Sequence, residues 1–84
     1  MSKISKVIEA TIVKFDMFPR DINRGRCFDF ATVVFDLVEG SKIAGHNRHG
    51  CGHTYIEYKG RCYDAEAPQG VKRWQSLPFF KRLT

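Results

Sequence analysis

Gly25-Arg26-Cys27-Phe28-Asp29-Phe30-Ala31 is a glycine turn, then a cysteine, then the start of an apolar run. The run continues to Val38, with Cys27, Ala31 (beside Phe30), Val34 and Val38 (beside Leu37) on one stripe at helical spacing. This predicts a helix from Cys27 to Val38, apolar round much of its circumference and hence the central buried element. Glu39-Gly40-Ser41 ends it, with Gly40 in a C-terminal capping position. A cysteine in the first turn of a helix meets unpaired backbone N–H groups and the positive end of the helix dipole. Both favour thiolate over thiol. A free cysteine is most often a small buried apolar residue, but the helix start raises the reactive reading of Cys27 above that one.

Downstream, His53-Thr54-Tyr55-Ile56-Glu57-Tyr58, Lys59-Gly60 and Arg61-Cys62-Tyr63-Asp64 read as a hairpin about a two-residue turn, continuing to Glu66. Tyr58 then faces Arg61, Glu57 faces Cys62, Ile56 faces Tyr63 and Tyr55 faces Asp64. Alternation puts His53, Tyr55, Glu57, Cys62, Asp64 and Glu66 on one face, and Thr54, Ile56, Tyr58, Tyr63 and Ala65 on the other. His53 and Asp64 become diagonal neighbours, roughly 7 Å apart at the backbone. A carboxylate there accepts a hydrogen bond from one imidazole nitrogen, fixes the tautomer and leaves the other nitrogen to take a proton from a thiol. Slipping the register by one residue would move Asp64 to the other face.

Upstream, Ile4, Ile8, Ile12 and Phe15, with Val7 beside them, predict an amphipathic helix over 2–15. The β-branched Thr11-Ile12-Val13 makes a strand over 10–15 the competing reading. Pro19 is expected to close the helix, and 20–26 to form a loop. Lys42 to Gly52, rich in glycine and histidine, has neither helical nor strand period and is expected to be a loop. Ala67-Pro68-Gln69-Gly70 should break the hairpin's second strand. A short helical turn is expected over 71–75 around Trp74, and Leu77-Pro78-Phe79-Phe80 should dock on the core.

The chain has 84 residues, with no repeat and no low-complexity tract, and reads as a single domain over 1–84. No apolar run approaches the ~20 residues that span a bilayer. The start, Met1-Ser2-Lys3-Ile4-Ser5-Lys6, lacks the apolar segment of a secretory signal. A cytoplasmic location without membrane attachment is expected. Three cysteines, an odd number, do not suggest a disulfide framework. The net charge is +5, but the basic residues neither form a block nor alternate with aromatics as a stacking platform does. A basic soluble surface is expected, and nucleic acid is not the expected partner.

Gly25-x-Cys27-x-Asp29-Phe30-Ala31 at a helix start, then His53-x-Tyr55-Ile56-Glu57-Tyr58, a short turn, and Tyr63-Asp64 before a proline resemble the transglutaminase-like branch of the papain-like cysteine enzymes. The resemblance runs from about Gly25 to Pro68. It implies Cys27 as nucleophile, His53 as general base and acid, and Asp64 as orienting residue. Such enzymes often carry a glutamine or another donor upstream of the cysteine. Here Asn23 is the nearest side-chain amide, and with backbone N–H groups at the helix start it is the expected oxyanion donor.

The fold expected is α+β: a minimal papain-like or transglutaminase-like core of two helices packed on a small antiparallel sheet. The function expected is a cysteine-dependent hydrolase or acyltransferase (protease, amidase, deamidase or transglutaminase-like) acting on a peptide or amide substrate, without a cofactor. One alternative is a catalytically silent protein-interaction module of the same fold. Another is a small zinc-binding domain using His46, His49, Cys51 and His53. Those four have the ligand chemistry but no paired Cys-x-x-Cys or His-x₃-His spacing, so no metal site is assigned.

Overall fold

Ser2 turns the chain into its first helix: the Ser2 hydroxyl accepts the Ser5 N–H at 3.2 Å, an N-cap that satisfies one of the first-turn donors. The computed structural model describes residues 2–83. Helix α1 (Lys3–Phe15) presents the isoleucine stripe inwards, with Ile4 and Ile8 fully buried and Val7, Ile12 and Phe15 packed at the margin. It ends at Asp16, whose left-handed conformation lets its N–H reach Ile12 and Val13 carbonyls.

Pro19 starts a new helix, α2 (Pro19–Gly25), where a loop was expected. Proline suits a first helical turn because its missing N–H has no partner there in any case, and its φ is already helical. The segment is held by burial of Ile22 and Asn23. Arg26, with φ −121° and ψ 19°, breaks the helical path, and α3 (Cys27–Leu37) begins at once. Phe30, Ala31 and Val34 are the buried face of α3, as the sequence stripe requires, but Phe28, Phe35 and Leu37 are exposed, so α3 covers the sheet with one face and is not the enclosed central element expected.

The largest departure is at 42–52. Lys42–Arg48 is a strand, β1, and Cys51–Tyr58 is β2. They pair antiparallel from Lys42↔Glu57 to Arg48↔Cys51. Most side chains of β1 are exposed, so hydrophobic alternation does not announce it; the ladder to β2 holds it. The second hairpin joins β2 to β3 (Arg61–Asp64) with Ile56↔Tyr63, Glu57↔Cys62 and Tyr58↔Arg61 paired, the expected register. Ala67–Val71 is a fourth strand, β4, rather than a break. Pro68 is tolerated because β4 is an edge of the sheet, ordered β1-β2-β3-β4. A 3₁₀ turn at Trp74–Ser76 and a short helix, α4 (Pro78–Lys81), complete the described residues.

The α+β class therefore holds, with four helices among the described residues where two were expected, and one four-stranded antiparallel sheet. Two apolar clusters lie on the two faces of the sheet. Ile4, Ile8, Ile22, Phe30 and Val34 meet Ile56 and Tyr63 under α1, α2 and α3. Tyr55, Cys62 and Ala67 meet Leu77 and Phe80 on the other face, so the apolar tail docks as expected. No helix among the described residues is long and apolar enough to cross a membrane.

Candidate active site

Cys27 is the first residue of α3, half-buried, and α3 packs against β2. This brings the thiol to His53 and Thr54 near the start of β2. The nearby His53 imidazole is the largest influence on the thiol and holds its pKa below the ordinary value; burial opposes it, and the Thr54 backbone adds to the lowering. The register of the second hairpin brings Asp64 to the other side of the ring. His53 Nε2 and Asp64 Oδ2 are 2.8 Å apart, with both side chains almost wholly enclosed. Asp64 is fixed in turn, since its Oδ1 accepts the Glu66 N–H at 2.9 Å. Burial pulls the imidazole pKa down, but the hydrogen bond to Asp64 and the nearby Cys27 thiol outweigh it, so the net shift is upwards.

With Nε2 committed to Asp64, Nδ1 is the nitrogen left for the thiol. It is buried and has no partner in regular hydrogen-bond geometry. The thiol therefore influences it without a fully aligned bond. A buried nitrogen in that condition costs about 1–3 kcal/mol.

Thr54 and Phe79 also belong to this site, though neither stands out in the sequence. Thr54 is visible only as the residue after His53. Phe79 stacks on the imidazole with centroids 4.4 Å apart, and Phe80 meets it edge-on at 5.5 Å. The docking of this tail was expected, but its place over His53 depends on contacts about 26 residues apart in the chain.

Asn23, the expected oxyanion donor, is turned to a different partner. It is an interior residue of α2, buried, and its Nδ2 donates to Glu66 Oε1 at 2.9 Å. The amide is thus engaged in holding α2 to the β3–β4 turn.

The histidines of 46–53 are dispersed by the β1–β2 hairpin. His46 stacks on Trp74 at 4.1 Å, and its Nδ1 is 2.7 Å from the Tyr55 hydroxyl. Burial, with the charges of Cys62 and Glu57, pushes the Tyr55 pKa up to about 12. His49 occupies the turn and Cys51 is exposed. Among the described residues no three His, Cys, Asp or Glu side chains converge as a metal site. Cys62 is buried on the Tyr55 face, and burial, then Glu57 and Asp64, push its thiol pKa up.

Comparison with known proteins returns no match for this chain among family models, curated proteins or solved structures.

Proposed function

We propose that the chain is a cysteine-dependent hydrolase or acyltransferase acting on an amide or peptide-type carbonyl. One observation carries this: a thiol at a helix start lies against an imidazole whose far nitrogen is 2.8 Å from a buried carboxylate. The resemblance of the Cys27, His53 and Asp64 segments to the transglutaminase-like branch of the papain-like enzymes points the same way.

In this proposal His53 holds the proton of Cys27, and the thiolate attacks the carbonyl carbon. Negative charge then develops on the carbonyl oxygen, where backbone N–H groups at the start of α3 offset it. His53 returns the proton from Nδ1 to the departing nitrogen, which leaves as an amine, and a thioester remains on Cys27. Water or an amine, deprotonated by the same nitrogen, resolves the thioester. Asp64 keeps the ring oriented and offsets the imidazolium charge.

A thioester forms whichever acceptor follows, so it is the species to trap. Incubation with an activated acyl ester, followed by mass spectrometry of the intact chain and its peptides, should find the acyl group on Cys27. Hydroxylamine should release it as a hydroxamate, and Cys27→Ala should remain unacylated at that peptide. Acylation spread evenly over Cys27 and Cys51 would overturn the proposal. So would acylation of Cys27 that is unchanged in His53→Ala.

The interaction-module alternative rests on a separate observation. The His53 side chain has no exposed surface, and Phe79 covers one face of the ring. A silent module would keep that closed packing and show no acylation at Cys27 above the rate of an ordinary thiol.

A further inference from the structure

Five of the fourteen basic residues, separated in the sequence, gather in space. Lys42, Lys59, Arg61, Lys72 and Arg73 line a single cleft of about 730 Å³, and Glu57 is its one carboxylate. The cleft thus holds most of the chain's formal surplus of +5. It lies at the Tyr58 end of β2, five residues along the strand from His53, or roughly 17 Å at ~3.3 Å per residue. It is separate from the thiol site.

None of these five cations is ion-paired among the described residues. The salt bridges there join Arg26 to Asp29, His53 to Asp64 and Arg82 to Glu66. Arg61 is held by a bond from its Nη2 to the Gly70 carbonyl at 2.9 Å, and the Lys59 ammonium lies over the Tyr58 ring at 5.3 Å. Gathering like charges in a concave surface raises the local potential and costs self-repulsion, which a bound anion relieves.

The aromatic rings at the cleft favour one anion class over another. Single-stranded nucleic acid is held by bases stacking on open aromatic faces. Here Trp74 is covered by His46 at 4.1 Å and approached by the Arg48 guanidinium at 5.6 Å. Tyr58 carries Lys59 over its ring and Tyr63 against it. What remains available is cationic charge and N–H donors, which suit carboxylates on a flexible chain.

We infer that this cleft binds an acidic stretch of polypeptide, rich in Asp and Glu, as a docking site distinct from the thiol site. The inference does not depend on catalysis by Cys27.

Fluorescence anisotropy of a labelled oligo-glutamate peptide with the full chain tests it. The wild type should bind at low salt, with affinity falling steeply as salt rises. Lys42→Glu/Lys72→Glu should weaken binding by about tenfold or more, which is ~1.4 kcal/mol or more, because two cations of the cleft are reversed. Lys3→Glu/Lys6→Glu, the same charge change on exposed positions of α1, should weaken it by less than about threefold. Circular dichroism confirms folding, and Arg73→Ala serves if the double variant is unfolded. Absence of binding by the wild type at low salt would overturn the inference. Equal losses in the two double variants would also do so, because they would mean diffuse attraction. A single-stranded oligonucleotide that binds more tightly and displaces the peptide would assign the cleft to nucleic acid instead. The rate of Cys27 alkylation, unchanged in Lys42→Glu/Lys72→Glu, separates failure here from failure of the catalytic proposal.

Discussion

Glu66 ties three segments together. Its carboxylate accepts from Asn23 Nδ2 at 2.9 Å, and from Arg82 Nη1 and Nη2 at 2.9 and 2.8 Å. Burial acts to raise its pKa, but the Arg82 and Asn23 hydrogen bonds prevail and lower it. A carboxylate lowered on folding contributes stability that is present above its unfolded pKa and lost as pH falls through the folded one. Glu66→Gln should therefore lower the melting temperature at neutral pH, by an amount matching about 1–2 kcal/mol because Arg82 is partly exposed. The gap to wild type should shrink in acid, where the wild-type carboxylate is protonated. Thermal denaturation of both proteins across that range checks it, and a Glu66→Gln variant as stable as wild type at neutral pH would refute the clamp. Cys27, His53 and Asp64 were legible in the sequence because each stands in an informative local context. The roles of Glu66 and Phe79 were not, since their partners are set by the docking of the C-terminal segment, which no local spacing encodes.

Two hairpins share one turn geometry. Lys59 and Gly60 have φ of 49° and 77°, and His49 and Gly50 have 53° and 79°. Positive φ at both central residues is the pattern whose twist matches the flanking strands, and it favours Asn-Gly. Lysine bears a steric cost in that conformation which asparagine bears less. Lys59→Asn should thus stabilise the domain by up to ~1 kcal/mol, or about 4–8 °C in melting temperature for a chain of this size. A lowered melting temperature would contradict the turn assignment. The second hairpin could be read from the sequence because alternating apolar residues flank Lys59-Gly60. The first could not: His49-Gly50 lies in a glycine-rich stretch, and β1 has a mostly exposed pattern. Gly45, which reads as a loop residue, is in the strand with little room for a side chain. A Cβ there would lie 3.3 Å from the His53 carbonyl oxygen. Pro19 does not close α1, which ends three residues earlier at the left-handed Asp16; it opens α2, where its fixed φ and missing N–H suit a first helical turn.

At the scale of the molecule, the thiol comes from α3, the imidazole from β2 and the carboxylate from β3, and α4 covers the ring. Helices pack on one face of the sheet and the C-terminal segment on the other, so these groups meet only when both layers are in place. Whether they act as one unit can be read without an assumed substrate, from the rate of iodoacetamide alkylation at each cysteine as pH is varied. Cys27 is held below the ordinary thiol value and His53 above the ordinary imidazole value, so each shift favours the charged form of its group and the two together draw the pair towards thiolate and imidazolium. That state is lost as pH falls through the Cys27 pKa, and the imidazolium is lost as pH rises through that of His53. Mass spectrometry should find Cys27 labelled first in mild acid. Cys62, buried and raised, should be labelled last. His53→Ala should slow the Cys27 reaction there and move its rise towards the ordinary thiol value near ~8.5, and Asp64→Asn should slow it less. Cys27 alkylated no faster than Cys51 in mild acid, or at a rate indifferent to His53→Ala, would show that the three residues are neighbours without a shared function.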